Sequence, residues 1–129
     1  MNRFSLLLLL AAFCSNALTA QTVLDNFDDV TMWQVQHTDD VTASLHGVQD
    51  KAGNALRLDF DFTDGKGNPI NGYATARRAL ALDLPQNYEL SFRVRGDAPI
   101  NTRQFKLVDA SGENVWWLNN PDFTFPLEW

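Results

Sequence analysis

Cysteine and histidine are almost absent from this chain of 129 residues, which contains only Cys14, His37 and His46. A disulfide framework or a Cys/His metal centre needs more of these residues, so neither is expected in residues 21–129. The sequence also lacks the HExxH, GxSxG, phosphate-loop and dinucleotide-binding glycine motifs. Two carboxylates can hydrolyse a glycoside, but spacing singles out no such pair here. We therefore predict that the chain is not an enzyme.

Basic residues are also scarce, since ten Lys and Arg stand against sixteen Asp and Glu, for a net charge of −6. Nucleic acids and anionic membranes are bound through basic patches, which this composition does not favour. The acidic balance instead fits a soluble extracellular protein. We expect no nucleic-acid partner and no membrane span.

One long apolar run occurs, and it lies at the N-terminus. Arg3 precedes the apolar stretch Phe4 to Phe13, and small residues follow as far as Ala20. This order is typical of a secretory signal peptide, and the run is too short for a transmembrane helix. We predict a signal peptide over residues 1–20, with cleavage after Ala20 or Ala17, and a secreted protein that is periplasmic or extracellular. A buried N-terminal helix is the alternative.

The rest of the chain, residues 21–129, consists of short segments in which apolar and polar residues alternate. In the clearest of them, Leu56, Leu58, Phe60 and Phe62 alternate with charged residues. Further candidate strands are residues 22–27, 32–37, 41–47, 72–80, 88–95, 104–108 and 115–118. A two-residue period predicts strands with one buried face, and turn residues separate them about every ten positions. We predict one domain, an all-β antiparallel sandwich.

A hairpin with two adjacent tryptophans is the most informative of these patterns. The strand at residues 104–108 is followed by a turn at Asp109 to Gly112 and by a second strand carrying Trp116 and Trp117. Neighbouring residues of a strand point to opposite faces. One tryptophan is therefore expected in the core, and the other on an outer surface as a binding platform.

Segments that resemble one protein family cover nearly the whole of residues 21–129. They are residues 24–29 followed by Trp33, residues 55–62, Gly72 and Tyr73 with Arg77 and Arg78, residues 88–97, and residues 105–112 followed by Trp116 and Trp117. Their order resembles the galactose-binding-like jelly-roll superfamily, especially carbohydrate-binding modules near family eleven and the complex I intermediate-associated domain. The resemblance implies a jelly-roll β-sandwich that binds a polysaccharide or oligosaccharide without catalysis.

A glycan platform needs aromatic planes and planar polar groups on outward positions of one sheet. The ligand-binding candidates are Tyr73, Arg77, Arg93, Trp116 and Trp117. The alternative is that packing covers both tryptophans and that the arginines pair with carboxylates such as Asp59 or Asp61 on a solvated face.

Acidic residues near the start of residues 21–129 suggest a second kind of site. Asp25 and Asp28 offer the hard oxygen ligands that calcium prefers. The resembled modules often hold a structural calcium near their first strand, which makes these two residues metal candidates. The alternative is that they are acidic turn residues of an acidic protein.

The C-terminal residues Phe123 to Trp129 are rich in aromatics and read as the start of another strand. From the resemblance we expect the module to continue past Trp129, with further domains C-terminal to it in the parent protein.

Two other functions compete with carbohydrate binding. The chain is a structural or protein-interaction sandwich of a cell-surface protein, or it is the N-terminal piece of a secreted glycoside hydrolase.

Overall fold

The computed structural model describes residues 21–129, and the expected signal peptide lies outside the described residues. The strands are β1 Gln34–His37, β2 Thr42–Asp50, β3 Gly53–Asp61, β4 Ala74–Arg77, β5 Asn101–Val108 and β6 Val115–Phe123. They form three two-stranded antiparallel sheets, which pair β1 with β4, β2 with β3, and β5 with β6. The predicted all-β class is confirmed, and no helix occurs in the described residues. The finer jelly-roll arrangement is not shown by these three pairs.

The β2–β3 hairpin follows the alternation of its sequence. Leu45 lies opposite Leu58 on one face, and His46 lies opposite Arg57 on the other. At the turn, the Asp50 carboxylate accepts a hydrogen bond from the Ala52 amide at 2.7 Å, and Gly53 adopts a φ of 117°. The sequence correctly predicted the half-buried side of β3, because the two-residue period is a local property of the strand.

The two buried apolar side chains of residues 21–129 are Val41, which directly precedes β2, and Ala55, which lies on β3. Val41 is 2% exposed and Ala55 is 9% exposed. The Val41 amide donates to the Thr38 carbonyl at 2.9 Å, and the Tyr73 amide donates to the Thr38 hydroxyl at 3.0 Å. A Cβ on Gly72 would lie 2.7 Å from a Val41 methyl, so only glycine fits this approach.

Residues 22–27 are not a strand, so the predicted first strand is wrong. The Phe27 amide donates to the Asp25 carboxylate at 2.7 Å, and Phe27 has a φ of 58°. Such a local side-chain bond competes with a strand ladder for the backbone donor. The next prediction, a strand over residues 32–37, is confirmed for residues 34–37, which form β1, and the segment 72–80 contains β4.

Residues 88–95 also lack strand structure, although their alternation predicts it. Leu90 and Val94 are half-buried as expected, and Phe92 stacks on Phe105 with ring centroids 5.2 Å apart. The Gly96 amide donates to the Pro126 carbonyl at 2.9 Å. The period therefore predicted the cover of Leu90 and Val94, whereas Phe92, which was also expected inward, is 50% exposed. A strand also needs a partner backbone along its length.

The β5–β6 hairpin is present at the predicted place. Asp109 and Gly112 form its turn, with the Gly112 amide donating to the Asp109 carbonyl at 3.1 Å and a Gly112 φ of 78°. Trp116 lies opposite Leu107, and Trp117 lies opposite Lys106, so the two rings point to opposite faces. Both are exposed, at 60% and 58%, and the expected core tryptophan is wrong.

Across residues 21–129, no helix long and apolar enough to cross a membrane was found.

Candidate functional site

The outer face of the β5–β6 hairpin combines an exposed aromatic ring with exposed polar side chains. Trp117 lies opposite Lys106, whose ammonium nitrogen is 5.2 Å from the ring centroid. The next pair on the same face is Gln104 and Asn119, and the Gln104 amide nitrogen donates to the Asn119 amide oxygen at 3.0 Å. An indole plane thus stands beside a row of planar amides, which is the chemistry that binds a sugar ring.

The opposite face of the same hairpin is mainly apolar, with the hydrogen-bonded pair Arg103 and Asn120 at one end. It carries Trp116, Leu118, Phe105 and Leu107, with Phe92 stacked on Phe105. Trp116 and Leu118 remain more than half exposed. The two tryptophans therefore share one strand and a similar exposure, but they have different neighbours.

Tyr73 and Arg77 lie on the β1–β4 sheet. Tyr73 directly precedes β4 and is 57% exposed. The Arg77 guanidinium donates from Nη1 to Gln36 Oε1 at 3.3 Å, across the strand pair. An exposed phenol and a guanidinium thus occur together here.

Arg93 lies in the segment between β4 and β5 that has no strand structure. Its guanidinium carbon is 6.0 Å from the centroid of the Trp129 ring, and that of Arg95 is 4.9 Å from the same ring. Asp50 accepts hydrogen bonds from Arg95 at 2.6 Å and from the Trp129 indole at 2.7 Å. Arg93 thus belongs to a cluster that joins the C-terminal segment to the β2–β3 turn.

The five ligand-binding candidates do not share one sheet. Tyr73 and Arg77 belong to the β1–β4 pair, Arg93 lies outside the strands, and Trp116 and Trp117 occupy two faces of β6. The expected single platform is thus divided, because strand period fixes a residue's face but not the sheet it joins. Their roles in ligand binding stay predictions.

Sequence reasoning missed three residues of the outer hairpin face, namely Gln104, Lys106 and Asn119. The signal was available for the first two, since they alternate with Phe105 and Leu107 and must point outward. Asn119 was missed because the predicted strand stopped at residue 118, whereas β6 runs to Phe123. These residues surround Trp117 and supply its polar neighbours.

The metal candidates Asp25 and Asp28 lie in the turn-rich segment before β1. Asp25 accepts hydrogen bonds from the Phe27 amide at 2.7 Å, from the Trp33 indole at 2.8 Å, and from Arg78. Burial by itself raises the pKa of Asp25, but these three donors outweigh it and hold the pKa below its usual value.

Asp28 is also occupied by donors, since it accepts hydrogen bonds from the side-chain amides of Asn26, at 2.5 Å, and Asn54. Within residues 21–129, no group of three or more acidic, histidine or cysteine side chains is placed to hold a metal ion. The calcium hypothesis therefore gains no support from the geometry of Asp25 and Asp28, whose oxygens face N–H donors.

One constellation on β2 and β3 resembles a catalytic triad in composition only. The Ser44 hydroxyl is 3.0 Å from His46 Nε2, and the Asp59 carboxylate is 3.4 Å from that same nitrogen. A relay needs the carboxylate on the other ring nitrogen, so that it orients the imidazole toward the serine. Asp59 is also bonded by Arg57 at 2.9 Å. This group is a cross-strand polar ladder on an exposed face.

Two open depressions lie elsewhere, and both are acidic. The first is lined by Asp40, Thr42, Asp61, Thr63, Asp64, Gly65 and Ile70, and the second by Val23, Leu24, Asp25, Asn26, Asp28, Asp29 and Arg78. In the first, the Asn68 side-chain amide is the main cause of the lowered pKa of Asp64. Neither presents an exposed aromatic plane to a ligand.

Comparisons with protein-family models, with curated proteins and with solved structures found no match for this chain.

Proposed function

We propose that this chain is a non-catalytic carbohydrate-binding module that holds a glycan on the outer face of the β5–β6 hairpin. The observation that carries the proposal is the exposed ring of Trp117 beside the hydrogen-bonded amides of Gln104 and Asn119. The indole plane stacks on the C–H face of a sugar ring, while the amides exchange hydrogen bonds with its hydroxyls.

The expected strength of such a contact is modest. Stacking of nucleobases on aromatic side chains contributes about 1–3 kcal/mol per ring, and we take the lower end for a sugar. About 1.4 kcal/mol corresponds to a tenfold change in affinity. A single exposed tryptophan thus accounts for much of the binding to an open, shallow face.

Tyr73 and Arg77 are the second-ranked candidates, because an exposed phenol and a guanidinium lie on or beside β4 of the β1–β4 sheet. Arg93 ranks below them, since its guanidinium already faces the Trp129 ring. We assign the main contact to Trp117 rather than Trp116, whose neighbours on the hairpin are apolar.

The finer architecture and the location belong to the same proposal. The all-β strand pairs support a galactose-binding-like jelly roll, in which the three pairs contribute to two larger sheets. The pattern of residues 1–20 and the net charge of −6 support a secreted protein. Expression with the native N-terminus, followed by N-terminal sequencing of exported material, tests the location, and an intact Met1 there contradicts it.

A matched pair of substitutions tests the glycan site. Trp117→Ala is expected to weaken glycan binding at least about tenfold, and Trp116→Ala is expected to leave it within about twofold, because only Trp117 faces the amide row. Both rings are exposed, so each variant should keep its thermal midpoint within a few degrees. Calorimetry over a glycan panel and thermal melts supply the measurements. Equal affinity of Trp117→Ala and the parent protein would reject the platform.

A second candidate function is a protein-interaction module, favoured by the apolar face around Trp116 and Leu118. Exposed apolar patches of this kind often mark protein interfaces. Under this alternative, Trp116→Ala reduces association with a partner protein and Trp117→Ala does not. The same two variants thus separate the two functions, because each function depends on a different face of β6.

A further inference from the structure

The outer hairpin face carries one charged side chain, and its position next to Trp117 restricts the ligand. Lys106 is exposed on β5 and lies directly opposite Trp117 in the strand register. Its ammonium nitrogen is 5.2 Å from the centroid of the indole ring. A ligand stacked on that ring would therefore have an edge within reach of the flexible lysine side chain.

Lys106 makes no ion pair with any carboxylate in the part of the chain that the structure describes. Arg57, Arg78 and Arg95, by contrast, pair with Asp59, Asp25 and Asp50. A ligand anion can therefore pair with the Lys106 ammonium without breaking an ion pair, although the ammonium gives up part of its cation–π contact with the Trp117 ring.

The side chains around Lys106 on this face are uncharged. They are Gln104, Val108, Val115, Trp117 and Asn119, which the strand register places on the same side of the sheet. The chain as a whole carries a net charge of −6. This positive face, whose strand positions carry no carboxylate, is complementary to an anionic ligand, whereas the net negative charge of the rest of the protein repels that ligand.

We infer that the glycan bound here is acidic, and that Lys106 pairs with the carboxylate of a uronic-acid residue whose ring stacks on Trp117. This inference rests on the proposed glycan-binding function and names the ligand class for the same site. Ring stacking leaves the exocyclic carboxylate at the edge of the sugar, where an ammonium group can donate a charge-assisted hydrogen bond. Lysine suits this role because its ammonium acts as a point charge on a flexible stem.

The test compares acidic polymers with neutral forms of the same stereochemistry. Polygalacturonate, alginate and glucuronoxylan are each titrated into the parent protein beside their carboxyl-reduced counterparts, which carry a hydroxymethyl group instead. At low salt, at least one acidic polymer is expected to bind about tenfold or more tightly than its reduced form. The difference should shrink as salt is added, because this pair is exposed.

Two lysine variants identify the charge responsible. Lys106→Gln is expected to bring the acidic and reduced polymers within about twofold of each other while keeping the residual affinity of the neutral form. Lys66→Gln removes the same formal charge from an exposed loop residue. It is expected to leave the tenfold preference for the acidic polymer unchanged. Thermal melts of both variants check that the fold is kept.

The possible outcomes separate the acidic-ligand inference from the proposed glycan-binding function. Equal binding of acidic and reduced polymers, with loss in Trp117→Ala, would overturn the acidic-ligand inference and leave the glycan platform standing. An acidic preference that survives Lys106→Gln would overturn the assignment to Lys106. Absence of binding to any acidic or neutral glycan of the panel would overturn both the inference and the proposed function.

Discussion

At the scale of single residues, close packing makes some positions far more sensitive than their exposure suggests. Gly72 is exposed, yet a Cβ there would meet a Val41 methyl at 2.7 Å and the Thr38 hydroxyl at 2.9 Å. Val41 is the most buried residue of those described, so it has little room to move.

Replacing Gly72 with alanine is expected to destabilise the protein by about 1–3 kcal/mol through overpacking against Val41. Gly65→Ala is the matched control, since a Cβ there meets nothing within 4 Å. It should change stability by about 0.5 kcal/mol or less. Chemical denaturation of the two variants measures the difference, and equal unfolding midpoints would refute the packing argument.

At the scale of elements, the β5–β6 hairpin depends on one carboxylate at its turn. Asp109 accepts hydrogen bonds from the Asn114 side chain at 2.6 Å, the Ser111 hydroxyl at 2.7 Å and the Gly112 amide at 2.9 Å. The Asn114 bond, followed by the Ser111 bond, lowers the pKa of Asp109 to about 2. The turn therefore prefers the ionised carboxylate.

The hairpin is expected to lose stability in acid as Asp109 becomes protonated. Since the folded pKa lies below the ordinary value of 3.8, the carboxylate stabilises the turn fully above pH 4, and this contribution declines between about pH 4 and pH 2. Hydrogen exchange of the β5 and β6 amides across this range measures the loss. In Asp109→Asn, which has no charge to lose, this part of the pH dependence should disappear. If hydrogen exchange in Asp109→Asn depended on pH in the same way as in the parent protein, the stabilising role of the Asp109 carboxylate would be contradicted.

At the scale of the whole molecule, long-range contacts at Asp50 join the C-terminal segment to the β2–β3 turn. The Trp129 indole and the Arg95 guanidinium both donate to the Asp50 carboxylate. The Trp129 bond is the main cause of the lowered pKa of Asp50, followed by the bond from the Ala52 amide. The Gly96 amide, which donates to the Pro126 carbonyl, reports whether this segment is docked.

Replacing Asp50 with alanine is expected to undock residues 124–129 and to accelerate hydrogen exchange at the Gly96 amide. Asp83→Ala, at an exposed aspartate in the loop after β4, should leave that exchange rate unchanged. In the parent protein, docking should be lost as the pH falls through the lowered pKa of Asp50, since its stabilising form is the carboxylate. Slow exchange at Gly96 in Asp50→Ala would show that this contact does not hold the segment.

The exposed apolar face of the hairpin is the second feature of the whole molecule with a measurable consequence. Replacing Leu118 with lysine is expected to lower the fluorescence of a bound hydrophobic dye and to raise solubility, because Leu118 is exposed among apolar neighbours. Val115→Lys changes the opposite face of the same strand and should have a smaller effect on dye binding. Equal dye binding by both variants would contradict the assignment of the apolar surface to the Leu118 face.

The sequence by itself determined the features that depend on neighbouring residues. The alternation of β3 predicted its half-buried side, Asp109 and Gly112 predicted the hairpin turn, and adjacency placed Trp116 and Trp117 on opposite faces. Each follows from backbone geometry over a few residues, because the strand period and the turn preferences are local.

Only the tertiary structure decided which segments became partners and which side chains were covered. Residues 88–95 alternate as a strand does, yet they have no strand structure. Tyr73 and Trp117 are both exposed aromatic residues, but Tyr73 lies beside β4 and Trp117 lies on β6, which belong to different sheets. The exposure of Trp116 likewise depends on what packs over its face. Pairing and burial are set by contacts between residues distant in the chain, and the period of one segment carries no information about its partner.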